Sequence, residues 1–164
     1  MERTIVDEFI DFKYNAIQKM RENKDIMALL SNNPDIDLES EEAEQIYEDC
    51  FYDHSFADSS FKQDKAAIFI EAACINREDD TTFPIKLYVQ VVCNRGFIKL
   101  DNKIFKGLKG NRQDNIARYI TETLDGDDDY GIGSLKLYLL QPTSVPEQFS
   151  ALQMEFDGNG FIAR

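Results

Sequence analysis

Residues 85–94 read IKLYVQVVCN, and residues 112–124 read RQDNIARYITETL. In the first stretch, apolar side chains alternate with polar ones, which is the pattern of a β-strand that buries one face. In the second stretch, apolar side chains recur at helical spacing, as in an amphipathic helix. Asn111 stands where it can cap the start of this helix, and Gly126 follows its end. Together the two stretches predict a sheet that packs against a helix.

Three further stretches complete the predicted sheet. Residues 65–75 (KAAIFIEAACI) are apolar on both faces, as in a covered central strand. The polar linker 76–82 joins them to the strand at 85–94, which predicts an antiparallel hairpin. After the helix, residues 135–139 alternate in the same way, and residues 149–156 form a last strand. We therefore expect a mostly antiparallel sheet of about four strands.

Residues 1–30 are predicted to be helical. Thr4 is placed to cap a first helix, and Asn23 is placed to cap a second, shorter one over residues 24–30. The apolar face of the first helix is expected to contact the core, and it consists of Ile5, Phe9, Ile10, Ile17 and Met20. The N-terminal helix and the helix at 112–124 would then cover the sheet.

The length and composition predict one domain. A chain of 164 residues with 43% hydrophobic content can bury one ordinary core. We expect a single α+β domain over residues 1–164, with N-terminal helices in 1–30, an acidic insertion at 34–64, and a sheet over 65–157 that includes the helix at 112–124.

The insertion at 34–64 differs in composition from the rest of the chain. Its acidic residues face a single basic residue, Lys62, so we expect it to be solvated and to lie outside the core. It is also rich in aromatic residues, so part of it must pack on the domain or on a neighbouring subunit. Its candidate subunit-interface residues are Glu41, Glu42, Glu44, Phe51 and Tyr52.

Residues 95–112 carry the one basic segment of the chain. Its lysines are opposed by only one acid, Asp101, and they are Lys99, Lys103, Lys106 and Lys109. One interpretation is a solvated loop. A second is an interface with the acidic insertion of an adjacent copy, because opposite potentials fix the register between subunits and head-to-tail contacts close into rings. A third is a surface that faces DNA in a channel.

No pattern in the sequence satisfies the requirements of a catalytic or metal site. The acidic run Asp125–Asp129 lacks the EF-hand glycine and the EF-hand terminal acid, because Tyr130 and Lys136 occupy those positions. Cys50 and His54 have a spacing that metal ligands use, but no second pair of ligands exists. We therefore expect no enzyme activity, no catalytic residues, no metal and no cofactor.

The net charge of −13 disfavours nucleic-acid recognition and binding to anionic membranes. No apolar run reaches the roughly 18 to 20 residues of a membrane span, and the N-terminus lacks the features of a signal peptide. An odd number of widely spaced cysteines (Cys50, Cys74 and Cys93) indicates a reducing compartment such as the bacterial cytoplasm.

The order of these elements resembles the tail-terminator, or tail-completion, and neck proteins of long-tailed bacteriophages. The resemblance covers about residues 1–30 and 65–157. Its closest local feature is the Arg-x-Asp-x-Ile-Ala start of the helix at Arg112, followed by Gly131-Ile132-Gly133 and a leucine-rich strand.

The resemblance implies a virion structural protein that forms a hexameric ring at the head-proximal end of the tail. Such a ring ends the tail tube, contacts tube or sheath and neck or connector proteins, and lets DNA pass through its lumen. The insertion at 34–64 departs from the family pattern, which leaves open another neck or connector component. The acidic composition leaves open a protein-binding module or inhibitor.

Overall fold

The strand predicted at 85–94 lies at the centre of the sheet. The computed structural model describes residues 4–57, 64–74, 82–126 and 134–161. Its helices are α1 (Ile5–Arg21), α2 (Lys24–Ser31), α3 (Glu41–Cys50) and α4 (Arg112–Leu124). Its strands are β1 (Phe51–Tyr52), β2 (Ala66–Cys74), β3 (Thr82–Asn94), β4 (Lys136–Thr143) and β5 (Phe149–Phe161). A short 3-10 turn at Arg95–Phe97 follows β3.

The five strands are arranged in the order β1-β2-β3-β5-β4. The predicted hairpin of β2 and β3 is confirmed, with antiparallel pairing from Ala66 opposite Cys93 to Cys74 opposite Ile85. β5 pairs with both β3 and β4, also antiparallel. The predicted α+β class is therefore confirmed, but the sheet has a fifth strand. β1, which follows α3 directly, pairs with β2 in parallel, so the sheet is mixed.

The helices cover one face of the sheet. α1 packs against β2 and α4, and α4 packs against β3 and β5. The capping predictions are confirmed: the Thr4 hydroxyl accepts the Asp7 amide at 3.2 Å, and the Asn111 side chain accepts the Asp114 amide at 2.8 Å. The buried residues between the two layers include Phe12, Met20, Ile68, Ile70, Val89, Val91, Ile116, Ile120, Met154 and Phe156.

The predicted apolar face of α1 was wrong at one position. The side chain of Ile10 is 56% exposed, and it lies in line with Val6 and Tyr14, which are each 58% exposed. A helix buries a stripe of roughly 100°. In α1 that stripe is centred on Phe12 and Met20, so the side of the helix that carries Ile10 faces outwards.

The acidic insertion is more ordered than the sequence analysis predicted. It contains α3, whose Ala43 and Cys50 are buried, and it continues into β1, whose Phe51 joins the core. Tyr52 stacks on Phe69 of β2 with ring centroids 4.7 Å apart. Part of the insertion therefore packs on the domain, as its aromatic content indicated.

A β-bulge changes the predicted alternation in β4. The register shifts between Leu137 and Leu139, and as a result Leu140, rather than Leu139, lies opposite Met154. Leu140 and the bulged Tyr138 are exposed at 51% and 71%. Pro142 lies inside β4.

Candidate assembly surfaces

Residues 95–111, which we call the basic loop, fold onto the domain. Leu100 and Phe105 are buried, and the main-chain amides of Ile104 and Phe105 donate to the carbonyl of Asp101 at 3.0 and 2.9 Å. The carboxylate of Asp101 accepts the Lys103 amide at 2.8 Å. The four lysines are all exposed. The loop therefore presents its charges from a defined backbone.

Arg112, the first residue of α4, holds the loop in place. Its side chain is buried, and its Nε donates to the carbonyl of Phe97 at 2.8 Å. Its two terminal nitrogens donate to the carbonyl of Leu29 at 2.5 Å and to Oδ1 of Asn32 at 2.8 Å. The guanidinium carbon lies 3.7 Å from the centre of the Phe97 ring. One side chain thus connects α4, the basic loop and the end of α2.

The acceptors of Arg112 are neutral oxygens. Leu29 lies in the last turn of α2, where carbonyls lack helical partners and carry the negative end of the helix dipole. Asn32 caps α2 in the left-handed conformation, at φ 58°. Burial lowers the pKa of Arg112 below its ordinary value, but a guanidinium remains charged in proteins. The α2 terminus therefore stabilises a buried cation.

Two further polar side chains of α4 fasten the loop to the sheet. Asn115 donates to the carbonyls of Lys109 and Asn111, both at 2.8 Å. Gln113 donates to the carbonyl of Val91 at 2.7 Å and accepts from the Ser150 hydroxyl at 2.9 Å. All three buried polar residues of α4 were missed in the sequence analysis.

The lysines of the basic loop have no carboxylate partner within the described residues. The predicted interface acids of α3, Glu41, Glu42 and Glu44, are exposed, and other side chains neutralise them only in part. Glu44 pairs with Arg21, and Glu42 accepts from Asn33 at 3.1 Å. Glu41 has no such partner among the described residues. Both segments therefore keep charge that is available to another molecule.

The acidic and basic segments flank the same connection between α2 and α3. Asn32 binds Arg112 at the base of the basic loop, and the next residue, Asn33, binds Glu42 of α3. No ion pair in the described ranges joins the two segments to each other. Within the described residues, the two segments of opposite charge therefore do not neutralise each other.

A groove of ≈ 420 Å³ lies between α1, α3 and β1, and we call it the α1 groove. Its apolar lining includes the exposed Ile10 and Tyr14 of α1, and the predicted interface residues Phe51 and Tyr52 also line it. Phe51 itself is buried in the core, so little of it is available at the surface. The remaining lining residues are Phe9, Lys13, Ile17, Tyr47, Glu48, Asp53 and His54.

Cys50 and His54 do not form a reactive pair. Burial raises the pKa of the Cys50 thiol to about 11, whereas His54 is exposed and its Nδ1 lies 2.8 Å from the carbonyl of Ser55. Across the described residues, no group of three or more metal-binding side chains is present. Most of the acidic run after Asp125 and the Gly131–Gly133 segment lie outside the described residues.

These features define a small α+β protein whose charged and apolar surfaces are presented by a rigid frame. The chain belongs to the YomW family, whose family model matches residues 23–157. A search of curated proteins gives no match.

The fold is similar to that of a chain in the solved structure "Virion of native gene transfer agent (GTA) particle". The TM-score is 0.54 at 10% identity, and the similarity covers 89% of this chain and 91% of that chain. None of the helices in the described part of the chain has the length and hydropathy needed to cross a membrane.

Proposed function

We propose that this protein is a virion structural protein that assembles into a ring at the head-proximal end of a phage tail. The ring ends the tail tube and joins it to the neck. Support comes from the phage-related YomW family and from a fold shared with a chain of a gene transfer agent virion. In this proposal the protein acts through its surfaces and catalyses no reaction.

The observation that carries the proposal is that the described part of one chain presents a basic loop without carboxylate partners and an acidic helix that is only partly neutralised. A basic loop that buried contacts hold to the domain and an acidic helix of the same copy suit head-to-tail contacts, in which different surfaces of two copies meet. Such contacts close into a ring when the rotation between neighbours permits.

The candidate contact joins the basic loop of one copy to α3 of the next. The lysines are Lys99, Lys103, Lys106 and Lys109, and the acids are Glu41, Glu42 and Glu44. At 4 Å and an effective dielectric of about 20, one such pair attracts by about 4 kcal/mol before its desolvation cost. The net gain is smaller, so these pairs serve mainly to select the register between subunits.

The partners of the ring follow from its position. The proposed ring, a hexamer as in the proteins it resembles, contacts tube or sheath proteins on one side and neck or connector proteins on the other. A net charge of −13 makes the protein surface repel phosphates, so DNA would pass through the lumen without being held. No specific nucleic-acid recognition and no membrane contact are part of the proposal.

Charge reversal tests the contact. The wild type and the Lys103→Glu/Lys106→Glu variant are compared by sedimentation velocity. Each is measured at about 0.05 M and about 0.5 M salt, because screening at the higher concentration weakens exposed ion pairs. We expect the variant to dissociate, and we expect Glu41→Lys/Glu42→Lys in the same chain to restore the assembly. Lys24→Glu/Arg118→Glu makes the same change of net charge at two exposed residues outside the basic loop and should leave the assembly intact. A wild type that sediments as a monomer at every concentration would contradict the proposal.

Two alternatives keep a specific motivation. The first alternative is another neck or connector component, which would also form rings. Labelling the protein in purified particles would distinguish its position from that of a ring at the end of the tail. An acidic protein-binding module or inhibitor is favoured by the charge of −13, and it would capture a basic partner while being absent from virions. Turnover of a substrate that is lost on Cys50→Ala/His54→Ala replacement would contradict all three.

A further inference from the structure

The α1 groove lies at the C-terminal end of α3, where α3 leaves part of α1 uncovered. Ile10 and Ile17 are seven residues apart in α1, so they lie on the same side of the helix. Ile17 is buried, and the guanidinium carbon of Arg21, one turn further on, lies 4.0 Å from the centre of the Tyr47 ring of α3. Ile10 and Tyr14, in the first half of the helix, are exposed. α3 therefore covers the second half of this side of α1 and leaves the first half open to another molecule.

The rim of the groove is acidic. Glu48 and Asp53 line it with exposed carboxylates, and neither carboxylate has an ion-pair partner within the described residues. Lys13, which also lines the groove, pairs with Glu71 at 3.0 Å, so its charge is already balanced. Glu48 follows Glu44 by four residues, which places both on the same side of α3. The acidic side of α3 thus continues to the groove.

The basic loop presents an apolar side chain between its lysines. Ile104 is 37% exposed, and Lys103 and Lys106, on either side of it in the sequence, are exposed as well. The carbonyl of Asp101 accepts the amides of Ile104 and Phe105, and the buried side chain of Phe105 holds this turn on the domain. The loop therefore combines an apolar side chain with cations that have no carboxylate partner among the described residues. This combination is complementary to the apolar lining and the acidic rim of the α1 groove.

The groove and the basic loop of one chain are not joined to each other. Arg112 holds the base of the loop against the end of α2, and no ion pair within the described ranges links the loop to Glu48 or Asp53. Other cations of the described chain, such as Arg21 and Lys86, are paired with carboxylates. A second copy of the chain therefore supplies an occupant whose charge and apolar side chain both fit the groove.

We infer that the basic loop of one copy docks into the α1 groove of a second copy, with Ile104 against Ile10 and Tyr14. This inference rests on the proposed function and adds an apolar anchor to the contact between the basic loop and α3. The helix from Glu41 to Glu48 spans about 10 Å, so one loop can contact the acids of α3 and the groove together. The groove and the loop are different surfaces, so the contact is heterologous, as a ring requires. Burial of the apolar side chains supplies affinity, and the charges select the register.

Cross-linking tests whether these two surfaces meet. In a Cys74→Ser background the remaining native thiols are buried, so cysteines added at exposed positions can be joined by a short bismaleimide. We expect the Asn102→Cys/His54→Cys variant to give a ladder of covalent oligomers on a denaturing gel, because Asn102 lies in the basic loop and His54 lines the groove. The matched Asn102→Cys/Gln141→Cys variant, whose second thiol is on β4, should stay monomeric on the same gel. Dimers formed by the Asn102→Cys variant alone would show that two basic loops meet, which overturns the inference.

A double-mutant cycle measures the apolar contact by sedimentation velocity. Ile104→Ser and Ile10→Ser each remove an exposed apolar side chain without changing the net charge. We expect each to weaken self-association about tenfold and to keep the unfolding midpoint of the wild type. Because the two side chains touch in the inferred contact, the double variant should weaken self-association by less than the product of the single effects, about a hundredfold. Tyr138→Ser, which removes an exposed apolar side chain on β4, should change it less than about threefold.

The outcomes separate this inference from the proposed function. Wild-type rings without the covalent ladder, an equal ladder from the Gln141→Cys control, or single effects that multiply fully would overturn the docking of the loop into the groove and leave the proposed ring standing. A wild type that never self-associates would overturn both. Cross-links from the His54→Cys position to another virion protein, in place of the basic loop, would show that the groove binds a different partner and would overturn the inference alone.

Discussion

Replacing Arg112 should destabilise the protein far more than its position at a helix start implies. Its guanidinium donates to the carbonyls of Phe97 and Leu29 and to the side chain of Asn32, at 2.8, 2.5 and 2.8 Å. Arg112→Ala leaves these oxygens without a donor and leaves a cavity beside the ring of Phe97. The side chain is only 2% exposed, so water has poor access to replace it.

The size of the effect follows from these contacts. A hydrogen bond to a charged group contributes about 1.5 to 3 kcal/mol, but removing a buried charge also removes its desolvation cost. Each of the three buried acceptor oxygens left without a donor costs about 1 to 3 kcal/mol, and part of this is recovered where water reaches the oxygen. We expect Arg112→Ala to lower the free energy of unfolding by about 3 to 5 kcal/mol. Arg112→Lys keeps the charge but loses the planar fork, so its expected loss is about 2 kcal/mol.

Urea denaturation followed by circular dichroism measures these losses. Arg118→Ala is the matched control in the same helix, because Arg118 is exposed and lies 4.0 Å from Glu122. Its expected loss is below about 0.5 kcal/mol. Hydrogen exchange adds a local measurement, since amides of residues 97–111 should lose protection in Arg112→Lys before the sheet does. An Arg112→Ala protein within about 1 kcal/mol of the wild type would refute the anchoring of the basic loop by this side chain.

Three further predictions follow from burial and backbone geometry. With a thiol reagent near neutral pH, Cys74 should react first, and Cys50 and Cys93 should react only on unfolding, because burial raises their pKa values to about 11 and about 12; equal rates for all three would contradict this. The pKa of the Cys93 thiol is higher in the folded protein than its ordinary value of 9.0, so folding favours the neutral thiol. The contribution of this thiol to the free energy of unfolding is complete below about pH 9 and is lost as the pH rises towards about 12. We therefore expect the difference in the free energy of unfolding between the wild type and Cys93→Ala, measured by denaturation, to decrease above about pH 9 by up to about 1.4 kcal/mol per pH unit. A difference that stays constant with pH would contradict this prediction. Gly110→Ala should cost about 1 kcal/mol in the same assay, because residue 110 has φ +85° and an alanine is strained there; an unchanged midpoint would argue for a different backbone at this position.

The elements with local signals could be predicted from the sequence. α4 begins at a capping asparagine, and β3 alternates strictly, so both are determined by residues close together in the chain. α3 also had a signal, because Ala43, Ile46, Tyr47 and Cys50 follow helical spacing. The acidic residues around them hid that pattern and led to the prediction of a solvated insertion.

The candidate site depends on contacts between distant residues, which the sequence pattern does not contain. Arg112 resembles a solvated residue at a helix start, yet its acceptor Leu29 lies 83 positions away. The bulge in β4 was equally hidden, and it places Leu140 rather than Leu139 opposite Met154. The outward stripe of α1 was missed because Ile10 is as apolar as the residues of the buried stripe. Exposure, and not composition, distinguishes these surfaces from the core.

Native mass spectrometry of the full-length wild type tests the central claim of self-association most directly. The account predicts one closed species, whose mass is a fixed multiple of the chain and does not grow as the protein concentration rises, because head-to-tail contacts close into a ring. A monomer at every concentration, or polymers that lengthen without limit, would contradict it.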